Sequence, residues 1–130
     1  MPRKKRTERQ RIYKRLDDLI RELLKNDYEL KCVTCGKGIG WFHPQTNPYG
    51  LQVSHYISRR FASVRWDLKN VHPMCSSCNY MHNVNPAPYT DFMLKVYGKK
   101  VLNDLDKKRR NLVLNLSDLR DLEEKLKSKL

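Results

Sequence analysis

The chain has 130 residues, which suits one domain with extensions and is too short for two ordinary domains. Its formal net charge of +13 and its pI of about 9.8 favour a polyanionic partner, with nucleic acid ahead of an anionic membrane surface. It contains no run of about 18 apolar residues, so no transmembrane helix and no membrane association are predicted. The basic N-terminus has no apolar segment after it, which argues against a secretory signal. We therefore expect a cytoplasmic protein, in which disulfides are rare.

The chain begins with a basic arm over residues 1–11. Its first cations are Arg3, Lys4, Lys5 and Arg6. Such a segment is predicted to be mobile by itself and to become ordered on a phosphate backbone, and the alternative is a solubilising or targeting tail. An amphipathic helix is predicted over residues 12–26, because its apolar residues recur at three- and four-residue steps. This apolar face is expected to pack on the core.

All four cysteines lie in two CxxC pairs. The pairs are Cys32 with Cys35 and Cys75 with Cys78. Each pair can supply two thiolates from one tight turn, so the two pairs together can make a tetrahedral zinc site. We predict a structural zinc ion here, against the alternatives of a redox pair or buried free cysteines. A zinc staple also suits a small core that buries little surface. Residues 30–36 are predicted to form a short strand that leads into the first pair.

Residues 36–50 have the glycine and proline content of a loop, with three aromatic residues interleaved. These are Trp41, Phe42 and Tyr49. The rings either cap the core or stack on nucleic-acid bases.

Residues 51–58 alternate as a strand does and carry His55. The histidine is either a satisfied core residue or a catalytic one, and the basic sequence after it favours the second interpretation. A connector follows over residues 59–72, and its cations are candidates for contact with DNA phosphates. They are Arg59, Arg60, Arg65 and Lys69.

Four further helices are predicted from periodicity, caps and breakers. Their ranges are 75–83, 91–97 after a Thr90 cap, 99–110, and 118–130 after a Ser117 cap. The first places Asn79 and His82 on neighbouring positions of one face. The last has a leucine stripe that either packs on the first helix or forms a dimer seam.

Hydrolysis of a DNA phosphodiester needs an activated water and charge stabilisation at the leaving oxygen. A neutral histidine can accept the proton of the water, and a divalent cation on protein oxygens can stabilise the leaving group. A strand-borne His55 that faces a helix-borne Asn79 can meet both needs, with zinc fixing their relative position. The arginines after His55 would then hold the flanking phosphates.

The order of these features resembles the His-Me finger (HNH, ββα-metal) nucleases. The order is CxxC, strand histidine, Asn70 in the connector, and a second CxxC followed directly by Asn79. The resemblance implies an α+β fold, with a small zinc-stapled ββα-metal core flanked by N- and C-terminal α-helices. It also implies that His55 is the general base, that Asn70 orients it, and that Asn79 binds the catalytic metal.

Longer motifs resemble the NinG/Rap family of lambdoid phage recombination endonucleases, and the four-cysteine site followed by asparagine is similar to phage endonuclease VII. The motifs are Cys32-Val-Thr-Cys35-Gly36, His55-Tyr56-Ile57-Ser58-Arg59, Arg65 through Pro73, and Cys75 through Asn79. The resemblance implies catalytic Mg²⁺, with Mn²⁺ as an alternative, and a preference for branched DNA such as Holliday junctions. It implies a phage-encoded protein in the cytoplasm of a bacterial host. No small-molecule cofactor is expected.

Resolving a four-way junction takes two cuts, so a homodimer is expected. The expected organisation is a basic flexible arm over 1–11, a zinc-bound nuclease domain with its N-terminal helix over 12–98, and a C-terminal helical extension over 99–130. The extension is the predicted dimer seam.

One position departs from the pattern. Many His-Me nucleases carry a metal-binding aspartate just before the base histidine, and here that residue is Ser54. Asp67, by sequence proximity, and His82, by helical position, are the candidates for the second metal ligand. The departure keeps two rival functions open, a duplex-nicking HNH endonuclease and a non-catalytic zinc module that binds DNA.

Overall fold

The structure, a computed structural model, describes residues 4–111 and 113–130. Within these residues the chain forms six helices and one two-stranded sheet, which confirms the predicted mixture of helix and strand. The elements are α1 (Glu8–Asp27), β1 (Gln52–His55), α2 (Ala62–Arg65), β2 (Val71–Met74), α3 (Ser76–Met81), α4 (Ala87–Val96), α5 (Lys99–Asn111) and α6 (Leu116–Lys127). In the described part of the chain, no helix has the length and apolar character needed to cross a bilayer.

The sheet is an antiparallel pair of strands with a helix directly after it. Ser54 lies opposite His72 and His55 lies opposite Val71. Cys75 separates β2 from α3 and is the N-cap of that helix, so the two paired strands, which the short α2 connects, are followed directly by a helix. The strand predicted over residues 30–36 is wrong. That segment makes only an isolated bridge between Lys31 and Gly38, because it turns back on itself at Gly36, whose φ is 75°.

Helix α1 starts at Glu8, earlier than the predicted residue 12, because Thr7 caps it. The Thr7 hydroxyl accepts a hydrogen bond from the Gln10 N–H at 3.1 Å, and the Gln10 side chain accepts one from the Thr7 N–H at 2.9 Å. This capping box satisfies N–H groups that the helix itself leaves without partners. Residues 8–11, predicted as part of a mobile arm, are therefore helical. Of the predicted DNA-binding cations in the arm, Lys4, Lys5 and Arg6 are exposed, and Arg3 lies outside the described residues.

Helix α6 packs along α1 and forms half of the core with it. Leu16 and Leu119 are completely buried at this contact, and Leu126 is nearly so. Burial of one such side chain stabilises the fold by roughly 1.5–3 kcal/mol. Arg15 and Glu123 form an ion pair across the two helices at 2.6 Å. The apolar stripe of the last helix therefore packs on the first helix, and a seam between two copies would need other residues.

The N-caps of the last helices differ from the predicted ones. Helix α6 is capped by Asn115 rather than Ser117, because Asn115 and Asp118 form a reciprocal capping box. Helix α4 begins after Pro86 rather than after Thr90. The Thr90 hydroxyl instead bonds the hydroxyl of Tyr56 at 2.8 Å.

A second cluster of buried residues lies beneath the sheet and the cysteine turns. It contains Leu51, Val64, Met74, Tyr89, Met93 and Leu105, together with two of the cysteines. Val53 of β1 packs against the first cluster and Cys78 of α3 packs against the second, so each of these two elements is anchored on the core.

Candidate functional site

The four cysteines converge, as their spacing predicted. The sulfur atoms of Cys32, Cys35, Cys75 and Cys78 all lie within 4.8 Å of one another, and those of Cys35 and Cys75 are 3.8 Å apart. A tetrahedral site with zinc–sulfur bonds of about 2.3 Å would place its sulfurs about 3.8 Å apart. All four are free thiols. They are positioned to hold one metal ion, and the all-sulfur donor set suggests zinc.

Without a cation, these thiols do not ionise together. Burial opposes ionisation of Cys32, but hydrogen bonds from the backbone and from Thr34 outweigh it and lower the pKa of that thiol to about 6. Burial, with hydrogen bonds to Cys75 and Cys35, raises the pKa of Cys78 to about 12. A divalent cation removes this conflict because it stabilises every thiolate at once. The electrostatics of the cluster therefore fit a metal site.

The cysteine cluster fixes the start of α3. Cys75 caps this helix and Cys78 lies in its first turn, while the turn from Cys32 to Cys35 is tied to β2 by a hydrogen bond from the Val33 N–H to the Pro73 carbonyl at 3.1 Å. Asn79 follows the last cysteine directly, so its position on α3 depends on the cluster.

Asn79 is held by two side chains of β1. Its Oδ1 accepts a hydrogen bond from the Ser54 hydroxyl at 2.6 Å, and its Nδ2 donates to Gln52 Oε1 at 2.9 Å. Ser54 is 1% exposed, whereas Gln52 and Asn79 are half-buried. The residue found where an aspartate was expected therefore anchors the amide of Asn79. The second amide oxygen at this point, that of Gln52, was not assigned a role from sequence.

His55 makes one informative hydrogen bond, from Nε2 to the carbonyl oxygen of Arg65 at 2.9 Å. A carbonyl can only accept, so Nε2 carries the proton and Nδ1 keeps a free lone pair. Burial is the main cause that lowers the pKa of His55 to about 4, against the opposing effect of this hydrogen bond. The ring is therefore neutral near pH 7 and can accept a proton at Nδ1.

Asn70, predicted to orient His55, makes its side-chain hydrogen bonds within the described residues to Ile57 and Val64 rather than to the imidazole. Its side chain is fully buried and accepts from the Ile57 N–H at 2.8 Å. It also donates to the carbonyls of Ile57 and Val64, each at 3.0 Å. These bonds hold the two ends of the segment between His55 and Arg65 against the same side chain. Asn70 therefore acts on the histidine indirectly, by fixing the loop that delivers the Arg65 carbonyl.

The two predicted candidates for a second metal ligand differ in position: His82 lines the same groove as Asn79, whereas Asp67 lines a different hollow. The Asp67 carboxylate accepts from the Lys69 N–H at 2.9 Å and from Lys108 Nζ at 2.8 Å, so one oxygen is engaged within the connector and the other at α5. His82 Nε2 bonds the carbonyl of Tyr56 at 2.8 Å. Its Nδ1 is buried and has no hydrogen-bond partner among the described residues. Asp67 is therefore engaged by neighbouring elements, whereas His82 keeps one nitrogen without such a bond, and its role as a ligand stays a prediction.

Of the four predicted phosphate-binding cations in the connector, two lie outside the larger groove at His55 and two line it. Arg65 forms a two-pronged ion pair with Asp17 of α1 at 3.1 and 2.7 Å, so it ties the connector to α1. Lys69 is exposed, but it lines a different hollow, near α6. Arg59 and Arg60 are exposed and lie in the same groove as His55 and Asn79.

Two grooves meet at His55. One, of about 530 Å³, runs between α1 and the 41–50 loop, and the other, of about 950 Å³, runs towards α3 and α5. Val53, His55 and Arg59 line both. Sequence reasoning missed the cations that other elements add. They are Arg21 and Lys25 from α1 in the first groove and Arg109 from α5 in the second.

The aromatic residues of the 41–50 loop divide between the two predicted roles. Trp41 packs against both core clusters, so it caps the core. Phe42 lines the first groove and is 49% exposed, and Tyr49 is 76% exposed. Their exposure leaves base stacking a prediction for these two rings.

His72 is linked to β1 by hydrogen bonds through Tyr89. It is fully buried, with Nδ1 2.7 Å from the Tyr89 hydroxyl and Nε2 2.8 Å from the Tyr97 hydroxyl. Tyr89 in turn donates to the Ser54 carbonyl at 3.3 Å. Burial lowers the pKa of His72 to about 4, so the ring is neutral and can donate at one nitrogen and accept at the other. This chain of hydrogen bonds fixes the strand that carries the site.

Comparison with known proteins gives one result for nearly the whole chain. A family model described as "Bacteriophage Lambda NinG protein" matches residues 2–130. No curated protein and no solved structure matches the chain.

Proposed function

The chain belongs to the bacteriophage lambda NinG family, and from this premise together with the geometry at His55 we propose that it is a metal-dependent DNA endonuclease of the His-Me finger type. The strand–strand–helix order around a four-cysteine cluster supports this proposal. The net charge of +13 supports DNA as the substrate.

The observation that carries the proposal is the hydrogen bond of His55 Nε2 to the Arg65 carbonyl. It leaves Nδ1 as the basic nitrogen of a neutral ring, in a groove that also contains Asn79 and two exposed arginines. In the proposed reaction, Nδ1 takes a proton from the attacking water, and the arginines hold the phosphates on either side.

Asn79 is the proposed ligand of the catalytic metal. Mg²⁺ is commonly held by few protein oxygens together with substrate phosphates and water, so one oriented amide oxygen fits it. When bound, the ion supplies charge stabilisation at the leaving oxygen. Ser54 and Gln52 orient the amide, and neither adds a negative charge. We therefore expect the ion to bind weakly to the free protein and well only with DNA. The cysteine cluster, with zinc, fixes α3 and does not touch the substrate.

Branched DNA, such as a four-way junction, is the proposed substrate, and the cytoplasm of the infected bacterium is the proposed place of action. The two grooves that meet at His55 are compatible with DNA that approaches from two directions. Two cuts in one junction would be made by a homodimer. Because Leu119 and Leu126 are buried within one chain, the proposed dimer uses another surface.

The test compares the zinc-loaded wild-type protein with His55→Ala on a four-way junction, a Y-fork and a linear duplex, with Mg²⁺ and with EDTA. We expect the wild-type protein to cut the junction fastest, only with Mg²⁺, and the variant to lose cleavage by about 10²–10⁴-fold while it still binds DNA. Unchanged cleavage by His55→Ala would remove the assignment of the base. Equal rates on all three DNAs would replace the junction proposal with a duplex-nicking activity.

One observation favours a second candidate function, a non-catalytic zinc module that binds DNA. Position 54 is a buried serine, and the side chains that bond the Asn79 amide within the described residues, Ser54 and Gln52, are both uncharged. This candidate predicts tight DNA binding and no cleavage of any of the three substrates at any Mg²⁺ or Mn²⁺ concentration.

A further inference from the structure

Helix α5 forms part of the wall of the larger groove at His55. It contributes Leu102, Asp106 and Arg109 to the lining, together with the segment that carries Arg59 and Arg60. Arg109 lies 54 positions after His55 in the sequence, so only the fold brings the two side chains to one groove.

Arg109 and Arg60 both stack on the aromatic ring of Phe61. The guanidinium carbon of Arg60 lies 4.8 Å from the ring centroid of Phe61, and that of Arg109 lies 5.4 Å from the same centroid. Such stacking holds a guanidinium in place while leaving its N–H groups free to bind an anion. The same ring thus holds two positive groups at the groove.

The charge of this wall is only partly neutralised. The charged groups that line the groove are three arginines (Arg59, Arg60 and Arg109) and one acid, Asp106. Asp106 is itself shared, since it lies 2.8 Å from Arg109 and 2.8 Å from Arg110. The Arg109 side chain is 34% exposed, and its Nε has no hydrogen-bond partner within the described chain. A partly exposed ion pair of this kind is weak, so a phosphate can replace Asp106 at low cost.

We propose that Arg109 and Arg60, stacked on Phe61, form a binding site for a phosphate of the DNA strand that is cut at His55. The site holds that phosphate by charge and by paired N–H donors, as guanidinium groups do. Arg109 thereby positions the strand, and α5 is part of the DNA-binding surface. This inference rests on the proposed nuclease function.

The experiment uses the full zinc-loaded chain and measures kcat, KM and the salt dependence of DNA binding for three variants of Arg109. Arg109→Ala is expected to lower kcat/KM by about 10²-fold and to reduce the slope of log K against log salt by about 0.9, the value for one phosphate contact. Arg109→Lys should restore the salt slope but only part of kcat/KM, because lysine keeps the charge and loses the paired donors. Arg109→Gln removes the charge but keeps a planar group over Phe61. It replaces Arg109→Ala in these measurements if the alanine variant does not fold.

The matched control is Arg110→Ala. It removes the same charge from the same helix and the same partner, Asp106, but Arg110 does not line the groove. Its kcat/KM is expected to stay close to the wild-type value. If Arg109→Ala and Arg109→Gln cut and bind as Arg110→Ala does, the phosphate site is wrong while the nuclease function stands. If the wild-type protein cuts no DNA, the nuclease function is wrong, and the salt slopes alone decide whether Arg109 contacts a phosphate.

Discussion

The hydroxyl of Ser54 donates to Oδ1 of Asn79 at 2.6 Å, across the contact between β1 and α3. A neutral side chain thus lies where a negatively charged metal ligand was expected from the nuclease pattern. The contact aligns the asparagine oxygen without adding to the charge of the site. Its first consequence concerns metal affinity.

We predict that Ser54→Asp lowers the Mg²⁺ concentration needed for half-maximal cleavage, because a carboxylate adds a charged oxygen ligand. Ser54→Ala should raise that concentration by about tenfold, since the Asn79 amide loses its anchor. Mg²⁺ titrations of cleavage measure both. The aspartate should also lower the melting temperature in EDTA, because the buried charge then has no partner. An identical Mg²⁺ requirement in all three proteins would contradict the role of Asn79 as a ligand.

Replacement of Asn70 by alanine should destabilise the fold severely. The change leaves the N–H and carbonyl of Ile57 and the carbonyl of Val64 without these partners in the interior, at about 1–3 kcal/mol each. Urea unfolding at pH 7 measures the loss. Asn103→Ala, at an exposed position of α5, is the control and should unfold as the wild-type protein does. A small effect at Asn70 would show that the loop does not depend on these bonds.

Removal of one cysteine tests the metal site. The purified protein should contain one zinc ion per chain, and Cys78→Ser should lose it together with the cooperative unfolding transition. Structural zinc contributes roughly 10–16 kcal/mol of apparent binding energy in small zinc peptides, which is comparable to the whole stability of a small domain. Ser77→Ala, at the exposed neighbouring position, should keep both the zinc and the transition. Metal analysis measures the zinc content and thermal melting measures the unfolding transition. A zinc-free wild-type protein that folds normally would refute the structural role of zinc.

The buried histidine His72 predicts how stability depends on pH. Its pKa is lowered to about 4 in the folded protein, whereas an unfolded histidine titrates near about 6.5. The unfolded chain therefore binds the proton first as the pH falls, so stability is complete above the unfolded value and declines towards pH 4. His72 alone should cost about 1.2 kcal/mol on going from pH 7 to about 5.5.

The measurement compares urea unfolding of the wild-type protein and His72→Gln at both pH values. Any effect of pH on zinc binding is common to the two proteins, so the difference between their pH dependences isolates the histidine. The variant should lose less stability on acidification. Parallel pH dependences would show that His72 is not held neutral.

Leu126 tests the placement of α6. Leu126→Ala should destabilise the protein by about 2–5 kcal/mol, because it opens a cavity between α1 and α6. Leu130→Ala, at a 60% exposed position of the chain end, should have little effect. If Leu126→Ala instead dissociated a dimer and left the unfolding of each chain unchanged, the leucine stripe would be a seam after all. Unfolding curves and sedimentation distinguish the two results.

The sequence was most informative where spacing alone determines structure. Two CxxC pairs predicted a converging cluster, because each turn places two sulfurs regardless of what surrounds it. It was least informative about partners that are distant in the chain. Arg65 reads as a free cation, and only the fold brings Asp17, 48 residues away, to its guanidinium. Arg109 was missed for the same reason, since nothing in a cluster of lysines and arginines shows which of them faces a groove.

Arg65 connects α1 to the imidazole of His55, through its guanidinium at one end and its backbone carbonyl at the other. Its guanidinium is bound to Asp17 of α1, and its carbonyl accepts a hydrogen bond from His55 Nε2–H. The rotation of the imidazole is therefore mechanically coupled to the placement of the first helix. Displacement of α1 would reorient Nδ1 through Arg65, so the position of the long N-terminal helix determines the direction of the nitrogen proposed as the base.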